Sequence, residues 1–332
     1  MPPRISVLMP CFNHGAFIAE AVDSVLAQTF QDFEINVVDD GSTEPATREA
    51  LSRLAGPRTT VLTTANRGLP AARNHAARHS SGEFYCAVDA DDKLAPTWFE
   101  KAVGVLDDRP EVMFVSHWLE TFGDERWTWT PERCDLVSLL ARNAVNGAAL
   151  VRREVFESVG GYDETMRDGC EDWDFWLRLV ERGFHGLIIP EVLFYYRRRS
   201  DSMSRVMLEE QTYRRPLEVL VATHADAYRR HLAAVLVAKE AEVLHLTREI
   251  ADLERDRLVT LEPALRRARE ELEAISGKVS RVRALRLRED ERERLAWKAA
   301  ELERQVADLH GSWSWRITTP LRKLYSVLRG ER

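Results

Sequence analysis

The sequence predicts an α/β domain, with a mostly parallel sheet and helices on both faces, followed by a long α-helical coiled-coil extension. Strand and helix patterns alternate over roughly the first 200 residues, and acidic clusters follow two of the strands. Thirteen of the 16 Gly and ten of the 13 Pro precede residue 206, and the sequence after them has a helical composition. We therefore predict a domain at 1–205, a helical region at 206–310 and a tail at 311–332.

Short apolar runs and helical periodicity define the elements of the first domain. The runs predict strands at 5–9, 34–38, 59–63 and 84–88. Apolar residues from Phe17 to Leu26 recur at helical spacing, and further helices are predicted at 45–54 and 71–79, the second opened by Pro70. Strands alternating with helices predict a doubly wound sheet with its ligand crevice at the carboxyl ends of the strands.

Charge and cysteine usage exclude several classes of protein. The net charge of −7 gives no electrostatic basis for binding nucleic acid. The four cysteines form neither a CxxC pair nor a tight cluster, so the sequence predicts no zinc site and no disulfide framework. They are typical of reduced cysteines in the cytoplasm.

Missing motifs narrow the function further. No GxGxxG follows the first strand and no GxxxxGK[ST] occurs, which argues against a dinucleotide-dependent dehydrogenase and a P-loop NTPase. The apolar start is cut short by Pro10, unlike a secretory signal. The longest later apolar run, 232–238, is far shorter than a membrane span. We expect a cytoplasmic protein that at most contacts the inner face of the membrane.

Two acidic clusters lie at the predicted ligand edge of the sheet. Asp39 and Asp40 follow the second strand, and Asp89, Asp91 and Asp92 follow the fourth. An Asp-rich turn is also a common backbone feature, and this reading stays open for the first cluster. Three carboxylates within four residues repel one another unless a cation lies among them. The second cluster therefore predicts Mg²⁺ or Mn²⁺, with open positions for a diphosphate.

Four segments resemble the family 2 glycosyltransferases, which have the Rossmann-like GT-A fold. They are VLMPCFNHGAFIAEAVDSVLAQTFQDFEINVVDDGS from Val7, NRGLPAARNHA from Asn66, AVDADDKLAP from Ala87 and GGYDE...CEDWDFWLRL from Gly160. The resemblance implies transfer of a sugar, with inversion, from a nucleotide-diphosphate donor. It favours a UDP-sugar.

The resemblance also assigns roles at the donor side. Pro10 and Asp40 match positions that contact the nucleobase, and Arg73 matches the arginine of the family's ARN element, near the nucleotide and diphosphate. Asp89 and Asp91 match the DxD pair, with Asp91 the direct metal ligand and Asp89 nearer the ribose. Asp92 is an additional carboxylate.

Asp172, in the CEDW segment, matches the family's catalytic base. The neighbouring charge of Glu171 raises the pKa expected for Asp172. Glu171 and Trp173 are candidate contacts of the acceptor or diphosphate. The same segment also fits a helix start with an apolar stripe, and we assign Trp176 to that core stripe.

One position departs from the family pattern. Many relatives have a histidine three residues after the Tyr of the Tyr-Arg-x-His element, where this sequence has Arg199. An arginine can pair with phosphate oxygens but cannot bind a metal. Arg199 is therefore either a diphosphate contact or part of a solvated basic turn.

The helical region contains apolar heptad seams at 246–253, 265–282 and 295–309, interrupted near Pro263 and around 286–294. We expect self-association or a partner helix, the alternatives being a solitary helix or a hairpin. The tail, with Trp313, Trp315 and basic residues, resembles the SWRxTxPLR tails of bacterial surface-polysaccharide glycosyltransferases. It suits either an anionic membrane surface or packing on the protein itself.

These observations predict a metal-dependent glycosyltransferase acting on a glycan or lipid-linked acceptor in cell-surface polysaccharide synthesis. The alternative is a non-catalytic scaffold of an assembly complex that keeps the fold and acts through its coiled coil. The carboxylates Asp40, Asp89, Asp91 and Asp172 argue for the enzyme, since a scaffold needs none of them.

Overall fold

The computed structural model describes residues 2–199, 210–267 and 280–311. Within them the strands are β1 (Ile5–Cys11), β2 (Phe33–Asp39), β3 (Thr59–Thr63), β4 (Phe84–Ala87), β5 (Lys93–Leu94), β6 (Val112–Gly123), β7 (Thr128–Trp129), β8 (Leu150–Arg152) and β9 (His185–Arg198). The helices are α1 (Ile18–Leu26), α2 (Pro45–Ser52), α3 (Leu69–Arg78), α4 (Trp98–Asp108), α5 (Leu136–Ala141), α6 (Arg153–Ser158), α7 (Glu171–Glu181), α8 (Glu210–Thr223), α9 (Ala225–Asp256) and α10 (Ser280–Gly311).

The strands form a single mixed sheet in the order β3-β2-β1-β4-β8-β6-β9-β5, with β7 paired to β6. The block β3-β2-β1-β4 is parallel, as the alternation of strands and helices predicts. The rest combines antiparallel pairs with the parallel pair β6–β9. The predicted fold class, an α/β GT-A-like domain with a helical extension, is confirmed.

Burial explains the apolar runs of the parallel block. All seven residues of β1 are buried, which is typical of a central strand covered on both faces. α3 packs against β1 and β2, and α4 packs against β6. The largest side chains of the core include Trp98, Phe114 and Trp176, so the assignment of Trp176 to the core is confirmed.

The register of the sheet brings the acidic clusters to one edge. Cys11 pairs with Asp39 across β1 and β2, and Leu8 pairs with Ala87 across β1 and β4. The residues that follow β2 and β4 therefore leave the sheet on the same side. β9 ends at this edge too, because Tyr195 pairs with Lys93, just after the second acidic cluster.

α9 extends from the first compact unit of the chain into the second. Residues up to Val235 form one compact unit, and residues from Leu236 onward form a second. In the second unit, Lys298 Nζ lies 3.0 Å from Glu249 Oε1, and Leu253 and Leu295 line one small cavity. The described helices of this unit thus pack on each other, while oligomerisation stays a prediction.

The predicted interruptions of the seams do not break these helices. A π-helical segment, Arg257–Leu261, follows α9, and helix continues through residue 267, past Pro263. α10 is continuous through 286–294, because the Arg and Glu residues that make the seam polar there are strong helix formers.

Parts of two predictions fall outside the described residues. These are the tail beyond Gly311 and most of the seam predicted at 265–282. No helix in the described ranges combines the length and apolar character needed to cross a bilayer.

Candidate active site

Asp40 joins the end of β2 to the loop that leads into α3. Its Oδ1 accepts hydrogen bonds from the Arg67 N–H at 2.9 Å and the Thr64 hydroxyl at 3.2 Å, and its Oδ2 accepts from the Gly68 N–H at 2.8 Å. Gly68 has a positive φ of 91°, which favours glycine. Asp40 therefore fixes the entry to the helix that carries Arg73. Its predicted contact with a nucleobase stays a prediction.

A second set of hydrogen bonds joins the loop after β1 to the loop after β2. Asn13 Oδ1 accepts from the N–H groups of Thr43 and Glu44, at 2.9 and 3.1 Å, and the Asn13 N–H donates to Ser42 Oγ at 3.0 Å. Pro10, the other predicted nucleobase contact, is buried within β1 just before this loop. The two loops thus form one connected wall of the crevice.

The second acidic cluster is partly buried, and burial changes the pKa of two of its carboxyl groups. Burial raises the pKa of Asp91; the charges of His14 and Arg199 oppose that rise, and the charge of Asp89 adds to it. Burial and the charges of Asp91 and Asp89 raise the pKa of Asp92 well above its usual range. Asp92 Oδ1 accepts from the Arg197 N–H at 2.8 Å, so Asp92 holds the end of β9 against the cluster.

Arg73 links this cluster to α7. Its Nη2 donates to Asp89 Oδ1 and its Nη1 donates to Glu171 Oε1, each at 2.8 Å. Its guanidinium also lies over the ring of Tyr162, 5.3 Å from the centroid. Burial lowers the pKa of Arg73, but the charges of Asp89 and Glu171 outweigh that effect and raise it. The sequence-predicted residues Arg73, Asp89 and Glu171 are thus brought together.

Asp172 lies in the first turn of α7, next to Glu171 and half-buried. Burial and the charge of Glu171 raise the pKa of Asp172 to about 7, against opposing effects of Arg73 and the Trp173 N–H. That N–H donates to Asp172 Oδ1 at 2.7 Å. Cys170, the residue before α7, has a φ of 64°, so the chain turns sharply into this helix. Asp172 is therefore a half-buried carboxylate whose pKa suits a general base.

Trp173 lies largely in the core. Its side chain is buried, with the residue only 5% exposed, and its indole N–H donates to the Leu139 carbonyl at 2.6 Å. It thereby anchors α7 on α5. Its predicted contact with the acceptor stays a prediction.

Arg199 contacts Asp91, a pairing that the sequence did not predict. Its Nη1 donates to Asp91 Oδ2 at 2.9 Å, and its guanidinium lies over the ring of Phe17. His14 Nδ1 lies 4.0 Å from Asp91 Oδ1. In this structure Arg199 therefore contacts the predicted metal ligand directly, which argues against a solvated turn.

The donor set of the cluster fits a magnesium or manganese ion. Asp89 and Asp91 supply carboxylate oxygens, and the pKa of Asp91 is raised by burial and by Asp89, a repulsion that a divalent cation relieves. Among the described residues, no group of three or more His, Cys, Asp or Glu side chains is placed to hold a metal ion.

Sequence reasoning missed several residues of the site. Asn143 Nδ2 lies 3.4 Å from Asp172 Oδ2, Tyr162 stacks under Arg73, and Asn13 and Arg197 order the surrounding loops. Tyr162 and Arg197 belong to segments that the sequence already singled out. Asn143 follows no recognisable motif, so only the fold identifies it.

Comparison with known families and proteins gives the following matches for this chain. A model described as Glycosyl transferase family 2 matches residues 6–163, and one described as Glycosyltransferase like family 2 matches 130–248. The putative glycosyltransferase EpsE of Bacillus subtilis is 28% identical over 215 residues, covering 61% of this chain and 76% of that protein. The O-antigen biosynthesis protein RfbC of Myxococcus xanthus is 29% identical over 219 residues, covering 54% of this chain and 16% of that protein.

Two solved structures share the fold. The S. aureus TarS 1–349 structure in complex with UDP-GlcNAc gives a TM-score of 0.56 at 18% identity, covering 66% of each chain. The mannosyltransferase PcManGT of Pyrobaculum calidifontis, in complex with GDP-Man and Mn²⁺, gives 0.58 at 20% identity, covering 96% of this chain and 87% of that one. At these identities the likeness establishes the fold alone.

Proposed function

The chain belongs to glycosyltransferase family 2, and on that premise we propose that it transfers a sugar, with inversion, from a nucleotide-diphosphate donor to a hydroxyl group of a glycan or lipid-linked acceptor. The observation that carries the proposal is the arrangement around Arg73. This side chain connects the Asp89 end of the crevice to the first turn of α7, where Asp172 lies.

Asp172 is the proposed general base. An acceptor hydroxyl loses its proton to the Asp172 carboxylate while its oxygen attacks the anomeric carbon, and the bond from that carbon to the diphosphate oxygen breaks on the opposite side. This single displacement inverts the anomeric centre. A pKa of about 7 leaves a substantial fraction of Asp172 ionised at neutral pH and makes it a stronger base than an ordinary aspartate.

The leaving diphosphate is proposed to lie beside Asp89, Asp91 and Arg199. Asp91, with Asp89, would hold Mg²⁺ or Mn²⁺, which when bound offsets the negative charge developing on the diphosphate. Arg199 carries a guanidinium suited to phosphate oxygens, and its contact with Asp91 holds it at this place. Arg73 is fixed by two carboxylates, and its two ion pairs hold the side chains of Asp89 and Glu171 close to each other.

The donor is proposed to be a UDP-sugar, with Pro10 and Asp40 near the nucleobase. This choice rests on the family resemblance. The fold neighbours include one structure with UDP-GlcNAc and one with GDP-Man, so an experiment must compare both nucleotides.

The biological setting is proposed to be cell-surface polysaccharide synthesis at the cytoplasmic face of the membrane. Similarity to the O-antigen biosynthesis protein RfbC supports it, as does the composition of the tail. Self-association through the helical region is part of the same proposal.

The deciding experiment measures nucleotide release from UDP-, GDP- and dTDP-sugars, with membrane or glycan extract as acceptor. Mn²⁺, Mg²⁺ and EDTA are compared for the full chain, for Asp172→Asn and for Asp108→Asn. Asp108 is an exposed aspartate at the end of α4, so Asp108→Asn is a matched control for the charge change. We expect release from one donor, lost with EDTA and in Asp172→Asn and kept in Asp108→Asn.

If no nucleotide is released from any donor, donor binding is measured by calorimetry, because the acceptor extract can lack the right glycan. Binding of a donor with metal present keeps the enzyme proposal. If no donor binds, the enzyme proposal is abandoned in favour of the scaffold.

A further inference from the structure

A buried histidine joins the helical region to the helix that carries the proposed base. His224 lies between α8 and α9, and its side chain is 1% exposed. Its Nε2 lies 3.1 Å from Asp174 Oδ1, and its Nδ1 lies 3.0 Å from Glu181 Oε1. Both carboxylates belong to α7. We call His224, Asp174, Glu181 and Arg178 the His224 cluster.

His224 is a cation at neutral pH. Burial lowers the pKa of His224, but the hydrogen bond with Asp174 and the ion pair with Glu181 outweigh that effect and raise it to about 9. The pKa of Asp174 is raised by burial and lowered more strongly by His224 and Arg178, so it stays below its usual value. The cluster therefore pairs the cations His224 and Arg178 with the carboxylates Asp174 and Glu181, and it runs from the buried His224 and Asp174 to the partly exposed Arg178 and Glu181.

Asp174 connects this cluster to the start of α7. Its carboxylate accepts from Arg178 Nε at 2.7 Å in addition to contacting His224, and its N–H donates to the Cys170 carbonyl at 2.9 Å. Asp172 lies between Cys170 and Asp174 in the sequence, within this first turn. Asp174 thus shares the first turn of α7 with Asp172 and Glu171.

Apolar packing around His224 shows that this part of the helical region belongs to the core. Leu220 of α8 is fully buried and Ala227 of α9 is 1% exposed. Tyr228 is half-buried in the next turn, and its pKa is raised by burial and by the charges of Cys170 and Glu181. Apolar packing of α8 and α9 thus surrounds the same histidine that forms the ion pairs with α7.

We infer that His224 is a positioning residue for the transferase reaction: through Asp174 it fixes the first turn of α7 and so orients Asp172. The helical region, in addition to any partner it binds, then completes the catalytic domain. This inference rests on the proposed role of Asp172 as the base.

The test compares the full-length protein with His224→Gln and with His245→Gln. Glutamine keeps a donor but removes the charge, and His245 is an exposed histidine further along α9. We expect His224→Gln to lower kcat about tenfold or more, because small misplacements of a reacting group are costly. The Kd for the donor should stay within about twofold, since no donor contact is removed. His245→Gln should change neither quantity.

Hydrogen exchange gives a readout that does not depend on activity. Amides of 171–181 should exchange faster in His224→Gln, whereas those of β1 and β2 should keep their protection. Glu181→Gln provides a milder variant if His224→Gln folds poorly, because Glu181 is partly exposed. A double variant with Asp174→Asn should show a non-additive effect on kcat.

The outcomes separate the two proposals. Unchanged exchange in α7, or an unchanged kcat in an active enzyme, overturns the role of His224. Faster exchange in α7 together with a wild type that neither binds nor turns over any donor overturns the proposed function, and with it the link from His224 to Asp172.

Discussion

The guanidinium of Arg73 donates to Glu171 Oε1 at 2.8 Å although the two residues are 98 positions apart in the chain. The other nitrogen of the same guanidinium binds Asp89 at the same distance. The DxD segment and the segment of the proposed base are thereby held by a single side chain. Glu171, a candidate substrate contact in the sequence, is buried and committed to Arg73.

Replacement of Arg73 by Lys should remove this link, because an ammonium group lacks the planar fork that contacts two carboxylates at once. We expect kcat/KM to fall by about 100-fold and the free energy of unfolding to fall by about 3 kcal/mol, the cost of disrupting a buried ion pair. Donor turnover and urea unfolding measure the two effects. Arg109→Lys, at an exposed position after α4, is the control. Wild-type turnover by Arg73→Lys would show that the link is dispensable.

Activity should depend on pH through Asp172. A base must be ionised to accept a proton, so kcat should fall as pH drops through about 7, the pKa of Asp172, and level off above it. Glu171→Gln removes a charge that raises this pKa, so its profile should shift to lower pH. The measurement is kcat at saturating donor from about pH 5 to about pH 9, a range that extends about two pH units on either side of the midpoint. An unshifted midpoint in Glu171→Gln contradicts the assignment.

Arg199 should compete with a metal ion for Asp91. Arg199→Gln removes the cation that contacts Asp91 Oδ2, so Mn²⁺ should bind the free protein about fivefold more tightly. The same change removes a phosphate partner, so KM for the donor should rise by about tenfold. Calorimetry and donor kinetics test the two directions separately. Weaker Mn²⁺ binding would mean that Arg199 supports the metal site instead.

Trp173→Phe distinguishes a core role from a sugar contact. Loss of the indole N–H leaves the Leu139 carbonyl without this donor, which should cost about 1 to 2 kcal/mol of unfolding free energy. A buried ring that only supports α7 leaves KM for the acceptor unchanged. A higher KM for the acceptor, with the same stability, would support the contact predicted from the sequence.

The His224 cluster should make stability depend on pH. The pKa of His224 is raised from about 6.5 to about 9 by Asp174 and Glu181, so its contribution is fully present below pH 6.5 and lost as pH rises through 9. The other charged or titratable groups at this place are Arg178, which donates to Asp174, and Tyr228, whose raised pKa keeps it neutral. The Tm difference between wild type and His224→Gln should therefore be large at pH 6 and small at pH 10. An equal difference at both values contradicts a charged His224.

Local patterns in the sequence predicted the parallel block of the sheet, α1 to α3 and the acidic edge. Apolar runs and helical periodicity depend on neighbours in the chain, and carboxyl ends of parallel strands meet at one edge whatever their partners are. The observed α2 ends two residues before its prediction, within the usual fraying of helix ends. No local pattern in the sequence indicates the order in which β8, β6 and β9 join the sheet.

The sequence by itself determined which residues we propose for the chemistry: the DxD carboxylates Asp89 and Asp91, Asp172, Arg73 and Arg199. Only the tertiary structure decided their partners. In the folded chain Glu171 pairs with Arg73, and Asp40 pairs with the loop before α3. Arg199 pairs with Asp91, and Asp174 pairs with His224. Motifs reflect short stretches of chain, whereas each of these contacts joins residues at least 24 positions apart, which only the packing of the sheet and its helices brings within hydrogen-bonding distance.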